Sequence, residues 1–261
     1  MSRKAYKWVL RAVLEADDLH DLSVAVNSMR TATLLRPQFM AGPRGKRVIV
    51  LAPHPDDESI GLGGTLLQTA SRGAKIEIVF LTSGSLEQRD EREQEALSVC
   101  KVLGCSATFL REEEGSINPV VAGRALQQLI DTSPVQTVFV PFLSDDHRDH
   151  RKANEVLLYA MRQSGAVAYE VWAYQVYSAL PGNVAVDVTP VVEAKAALVR
   201  LYDSQMKRRD WVHFALGLNA FNSRFGVDPS QRYVESFFVV PGGEYLGLLE
   251  RYYDTGASRE L

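Results

Sequence analysis

From residue 47 onward the chain alternates between two hydrophobic rhythms. RVIVLA (47–52), IEIVFLT (76–82) and TVFVP (137–141) are short unbroken apolar runs rich in β-branched residues, as expected of strands buried on both faces. CSATFL (105–110) is a weaker run of the same kind. Between them, residues 60–72, 88–103, 119–132 and 150–163 space their apolar positions as helices do. Strands alternating with helices of about 10–15 residues imply right-handed crossovers and an α/β fold, its mostly parallel sheet covered by helices on both faces. The last third is less regular. AYEVWAYQVYS (168–178) and VAVDV (184–188) read as strands joined around Pro181-Gly182, and 190–206 as an amphipathic helix entered at Pro190. YVESFFVV (233–240) closes the core as a strand, and a short helix follows Gly243. Residues 207–225, with Trp211, His213, Phe214 and Phe221 among polar neighbours, follow neither rhythm.

The first 40 residues stand apart. Tyr6, Val9, Leu10, Val13 and Leu14 share one helical face, flanked by Lys4, Lys7 and Arg11. Residues 1–40 are therefore expected to be an N-terminal helical extension of a single domain spanning 41–261. Such a helix suits packing on the domain or on a partner subunit, and its basic flank also suits peripheral contact with the anionic inner face of a membrane.

Composition narrows the partners. Lys+Arg 29 against Asp+Glu 32 leaves a net charge of -3, which gives no global attraction to nucleic acid. Cys100 and Cys105 are too few for a disulfide framework, so a reducing, cytoplasmic setting is the simplest expectation. No run approaches the ~18 apolar residues of a membrane span.

Two polar clusters sit at the expected carboxyl ends of strands, where open α/β sheets bind ligands. Pro53-His54-Pro55-Asp56-Asp57-Glu58 follows RVIVLA, and Asp145-Asp146-His147-Arg148-Asp149-His150 follows TVFVP after a short loop. Three of the five histidines lie here; His20 and His213 have no carboxylate-rich neighbourhood. His54, Asp57 and His150 together supply two imidazole nitrogens and a carboxylate oxygen, the donor set of a catalytic zinc site with an open position. Neither cluster suffices alone, so the fold must bring them together. Asp149 or a neighbour would orient a ligating histidine, and Asp56 or Glu58 would accept the proton of an activated water. Singly, each cluster also reads as a helix cap or a solvated charged loop; the pairing at two strand ends favours chemistry. Gly61-Leu62-Gly63-Gly64-Thr65 breaks the dinucleotide-binding fingerprint, because Leu66 stands where the third glycine belongs. Those glycines are better explained by close approach of a helix to the sheet. A nucleotide-dependent oxidoreductase is disfavoured on the same ground.

The sequence resembles the PIG-L/LmbE-like family of zinc-dependent N-acetylglucosamine deacetylases. APHPDDE (52–58) with Gly63-Gly64-Thr65, and HRDH (147–150), carry the resemblance. Arg92-Glu93-Gln94-Glu95, Lys195 and Ser204-Gln205 follow it more weakly, so that it spans about residues 47–240. It implies a Rossmann-like domain holding one Zn2+, or another divalent cation such as Fe2+, and hydrolysis of the acetamide of a small N-acetylated sugar. The alternative is the same machinery on a non-sugar N-acyl compound or a thiol conjugate of an aminosugar. By the resemblance, His54, Asp57 and His150 are metal ligands and Asp56 is the general base. His147 would stabilise the oxyanion or protonate the amine, Asp149 would orient His147, and Arg92 or Arg89 would contact substrate. A metal-retaining carbohydrate binder without catalysis would need neither Asp56 nor His147.

Overall fold

The computed structural model describes residues 37–254 apart from 133, 165, 166, 179 and 227. Residues 1–36 of the expected N-terminal extension, including the amphipathic segment 4–14 and His20, lie outside the described residues. Gln38 and Phe39, placed in that extension by sequence, pair in the sheet as strand β1.

The remaining strands are β2 (Arg47–Ala52), β3 (Lys75–Thr82), β4 (Ser106–Glu112), β5 (Thr137–Pro141), β6 (Glu170–Tyr174), β7 (Val184–Asp187) and β8 (Val234–Pro241). Among the described residues they form one sheet in the order β1-β7-β8-β6-β5-β2-β3-β4. β8 alone runs against the others, antiparallel to both β6 and β7. The helices are α1 (Asp57–Ser71), α2 (Arg89–Leu103), α3 (Pro119–Asp131), α4 (Arg148–Gln163), α5 (Val192–Arg200), α6 (Asp203–Met206), α7 (Trp211–Asn222) and α8 (Gly242–Asp254). None of them is long and apolar enough to cross a membrane.

Strand alternation divides the core. Val48, Val50 and Ala52 of β2 pack with residues of α1, α2, α5 and α7 on one face of the sheet. Ile49 and Leu51 pack with α3, α4 and α8 on the other. That two-sided burial is why the strands read as unbroken apolar runs. β2 lies between β3 and β5, and the chain leaves it first toward β3 and later returns at β5. The strand order therefore reverses at β2 and β5, and their carboxyl ends open a crevice there.

The structure corrects one expectation, the helix over 190–206, and adds two features that the sequence left open. β6 and β7 are not neighbours, because β8 inserts between them and satisfies both edges; Trp172 pairs with Val239 and Ala185 with Ser236. The helix expected over 190–206 is a 3-10 turn followed by α5 and α6, parted at Leu201-Tyr202. Tyr202 leaves helical geometry (ψ 61°) and buries its hydroxyl against Glu58 at 2.7 Å. Residues 211–222 are helical, opened by Asp210, whose side chain accepts the His213 N–H at 2.9 Å.

The glycine expectation holds. A Cβ on Gly61 would lie 2.6 Å from the Tyr174 ring, and one on Gly64 2.6 Å from Val188. α1 is also broken at Leu62 (φ -143°, ψ 16°), so a short first segment, 57–61, precedes the main run of the helix.

Candidate active site

β2 delivers the first motif. The Pro53 carbonyl accepts both the amide (3.0 Å) and the hydroxyl (2.9 Å) of Thr82, tying the loop to β3. Asp56 follows with φ 129°, a conformation that costs an L-residue about 1–3 kcal/mol. The Asp56 amide donates to Glu58 Oε2 at 3.2 Å, and the Arg92 guanidinium donates to the Pro55 carbonyl at 2.7 Å. These bonds brace a loop whose backbone is strained at the residue expected to act as base. Asp57 is fully buried, and its Oδ2 accepts the His54 backbone N–H at 2.9 Å.

β5 delivers the second motif through the 142–147 loop. His147 is the N-cap of α4, and its Nδ1 accepts the Asp149 N–H at 3.2 Å. His150 follows in the first turn, fully buried. The two motifs converge: ring nitrogens of His54, His147 and His150 all lie within 4.8 Å of one another. Asp57 stands between two of these rings, Oδ2 3.1 Å from His54 Nδ1 and Oδ1 3.2 Å from His150 Nε2. Asp57 Oδ1 and both nitrogens of His150 are buried without an aligned hydrogen-bond partner among the described residues. Buried polar atoms are rarely left so, and a divalent cation would supply what these lack. The residues present fit such a cation.

A model of the PIG-L family, GlcNAc-PI de-N-acetylase, matches residues 49–161, which span both motifs. The diacetylchitobiose deacetylase of Thermococcus kodakarensis is 26% identical over 230 residues, covering 76% of this chain and 84% of that protein. A 1D-myo-inositol 2-acetamido-2-deoxy-alpha-D-glucopyranoside deacetylase of Corynebacterium efficiens is 25% identical over 240 residues, covering 76% and 75%. Over residues 49–161 this chain is similar to the PIG-L family. The fold agrees: the N,N'-diacetylchitobiose deacetylase structure from Pyrococcus horikoshii superposes with a TM-score of 0.66 at 22% identity, covering 77% of this chain and 86% of that one.

The electrostatics of the site follow from burial and proximity. Burial alone would push His54 down, but Asp57 and Asp149 beside it raise it to about 10. His150 is likewise disfavoured by burial and raised to about 9 by Asp57 and Asp145. Burial and the neighbouring Asp57 charge raise Asp56 to about 8, against the pull of Arg92, 3.6 Å away. Asp57 is held well below its usual range, the two imidazoles outweighing its burial. His147 is pushed down by burial and by repulsion from His54 and His150.

The placement of other expected residues is uneven. Glu58 is spent: it accepts from Ser59 Oγ (2.6 Å), Tyr202 (2.7 Å) and the Asp56 amide, which leaves Asp56 as the carboxylate available for proton transfer. The Asp149 carboxylate meets His54 Nε2 at 3.1 Å and the Gly115 N–H at 2.9 Å, so only its backbone amide engages His147. The helical turn aims that side chain across the crevice, which corrects the expected pairing with the His147 ring. Arg92 is buried beside Asp56, whereas Arg89 lies nearer Glu93 and helps depress it. Two of the weaker family positions pair with each other: Glu95 accepts the Ser204 amide and hydroxyl, each at 2.7 Å, at the start of α6. Sequence reasoning gave no role to Tyr177, which stacks on His150 with centroids 5.2 Å apart at 17°. Its place in an aromatic and β-branched run was the available signal.

Proposed function

We propose that this chain is a hydrolase that removes the N-acetyl group from an N-acetylated sugar, using one Zn2+ held by His54, Asp57 and His150. The observation that supports this best is Asp57 set between two imidazoles, with Asp56 adjacent and held by Arg92. The two curated relatives are named as deacetylases of acetamido sugars, which points to the same substrate class.

When bound, the cation supplies a Lewis acid that polarises the amide carbonyl and acidifies water near neutral pH. Asp56 accepts the proton of the attacking water and later returns it. His147 is neutral at pH 7, and because Nδ1 accepts the Asp149 N–H its own proton sits on Nε2. That N–H donates to the carbonyl oxygen as negative charge develops there. The C–O bond forms, the C–N bond breaks, and the proton carried by Asp56 passes to the departing amine. Acetate and a free amino sugar leave. Arg92, 3.6 Å from the Asp56 carboxylate, holds it in place beside the ligand cluster.

Elemental analysis and acetate release from N-acetylated sugars test the reading together. One zinc per chain, lost in His54→Ala, with acetate released by the wild type, is the expected result. A different divalent metal would revise the ion and leave the site. No metal after reconstitution, or no acetate from any acetamido sugar by the metal-loaded protein, would overturn the function.

A further inference from the structure

We infer that Asp145 is a positioning residue for the histidine cluster, holding His150 at Nδ1 so that Nε2 faces Asp57 and the cation. The inference rests on the reading of His150 as a metal ligand. Asp145 lies in the loop between β5 and α4 and is 1% exposed. Its Oδ1 is 3.0 Å from His150 Nδ1 and accepts the His147 N–H at 3.0 Å. Its Oδ2 accepts the amides of Tyr177 (3.1 Å) and Ser178 (3.4 Å). Its own carbonyl accepts from Arg151 at 2.7 Å, which anchors the loop to α4.

Three backbone N–H groups thus donate to one side chain, one at Oδ1 and two at Oδ2, with His150 Nδ1 as a fourth neighbour beside Oδ1. Only a carboxylate accepts at both ends; an asparagine amide would aim its own N–H bonds at donors already pointing in. The Tyr177 amide held by Oδ2 also carries the ring stacked on His150. Asp145 therefore controls that imidazole at its edge directly and on its face through Tyr177.

Asp57 occupies the opposite edge of the ring, at Nε2. A proton kept on Nδ1 by Asp145 leaves a lone pair on Nε2, the tautomer a cation requires. The 3.0 Å contact is short but not aligned, and the ring must turn for Nδ1 to donate to Asp145 when a cation is held at Nε2. Asp149 contacts a different imidazole, its Oδ2 lying 3.1 Å from His54 Nε2 and accepting the Gly115 N–H.

Asp145→Asn keeps the size of the side chain and removes the charge. Zinc affinity, measured by chelator competition, should fall about 10–100-fold while the thermal transition stays cooperative. A second measurement uses the unaltered protein: in the zinc-loaded wild type, long-range 1H–15N correlations should place the His150 proton on Nδ1. Affinity unchanged within about twofold in Asp145→Asn, or a proton on Nε2 in the wild type, overturns the inference. Zinc uptake by the wild type separates the two readings. Without it the ligand assignment falls and this inference with it; with it, an indifferent Asp145→Asn removes this inference alone.

Discussion

Lys195→Met should destabilise the protein far more than a typical substitution. Lys195 is fully buried, and its ammonium donates to the Ile60 carbonyl (2.8 Å), Asn219 Oδ1 (2.8 Å) and Glu235 Oε1 (2.7 Å). Glu235, itself 1% exposed, also accepts the amides of Gly64 (2.9 Å) and Thr65 (2.8 Å). Those amides lie just beyond the break in α1 at Leu62, so Glu235 reaches across from β8 to cap the restarted helix. Methionine fills the space of lysine but leaves that carboxylate buried without its counter-charge, and it abandons the Ile60 carbonyl and Asn219. Breaking one side of a buried pair costs about 3–5 kcal/mol. For a protein of this size that corresponds to roughly 6–20 °C in Tm. Urea unfolding followed by circular dichroism reads it as a lower midpoint at unchanged m. The double variant Lys195→Met/Glu235→Gln removes both charges and should cost less than the sum of the singles by about 1–3 kcal/mol. A loss below about 1 kcal/mol in Lys195→Met, or strict additivity in the double, would refute the view that this pair locks α1.

Three further outcomes follow from the same geometry. Asp56→Asn should keep its zinc, because Asp56 is not among the proposed ligands, yet lose about 100-fold or more in kcat; full turnover would remove the base assignment. His147→Ala should also retain metal and lose about 2.7–4 kcal/mol of transition-state stabilisation, read as a fall in kcat at nearly constant KM. Loss of zinc in His147→Ala would instead mean that three imidazoles, and not two with Asp57, hold the ion. Gly61→Ala places a methyl 2.6 Å from the Tyr174 ring and 2.9 Å from the Gln175 carbonyl, and should cost about 1–3 kcal/mol in urea unfolding; an unchanged midpoint would show that α1 has room to move.

The sequence exposed the half of the fold that is repetitive and the half of the site that is contiguous. β2, β3 and β5 were legible because burial on both faces makes each an unbroken apolar run, and β5 was bounded to the residue at 137–141. β8 was legible as a strand but not as the antiparallel insert between β6 and β7, since pairing between segments distant in sequence leaves no local pattern. The convergence of His54 and Asp57 with His150 could be argued from motif position alone, because a reversal of strand order makes the carboxyl ends of β2 and β5 neighbours. Which carboxylate serves which imidazole could not. Asp145 and Asp149 are four residues apart in one charged run, equal in chemistry. A loop that turns Asp145 inward and a first helical turn that sends Asp149 toward His54 divide them between two histidines. That division needs the register of residues 142–147 against 176–178, supplied by β5 and β6 pairing in parallel and by the Phe142 N–H bonding the Tyr174 carbonyl at 2.9 Å. The residues of a site are thus set by motif, while their assignments to one another are set by packing between strands that the motif does not contain.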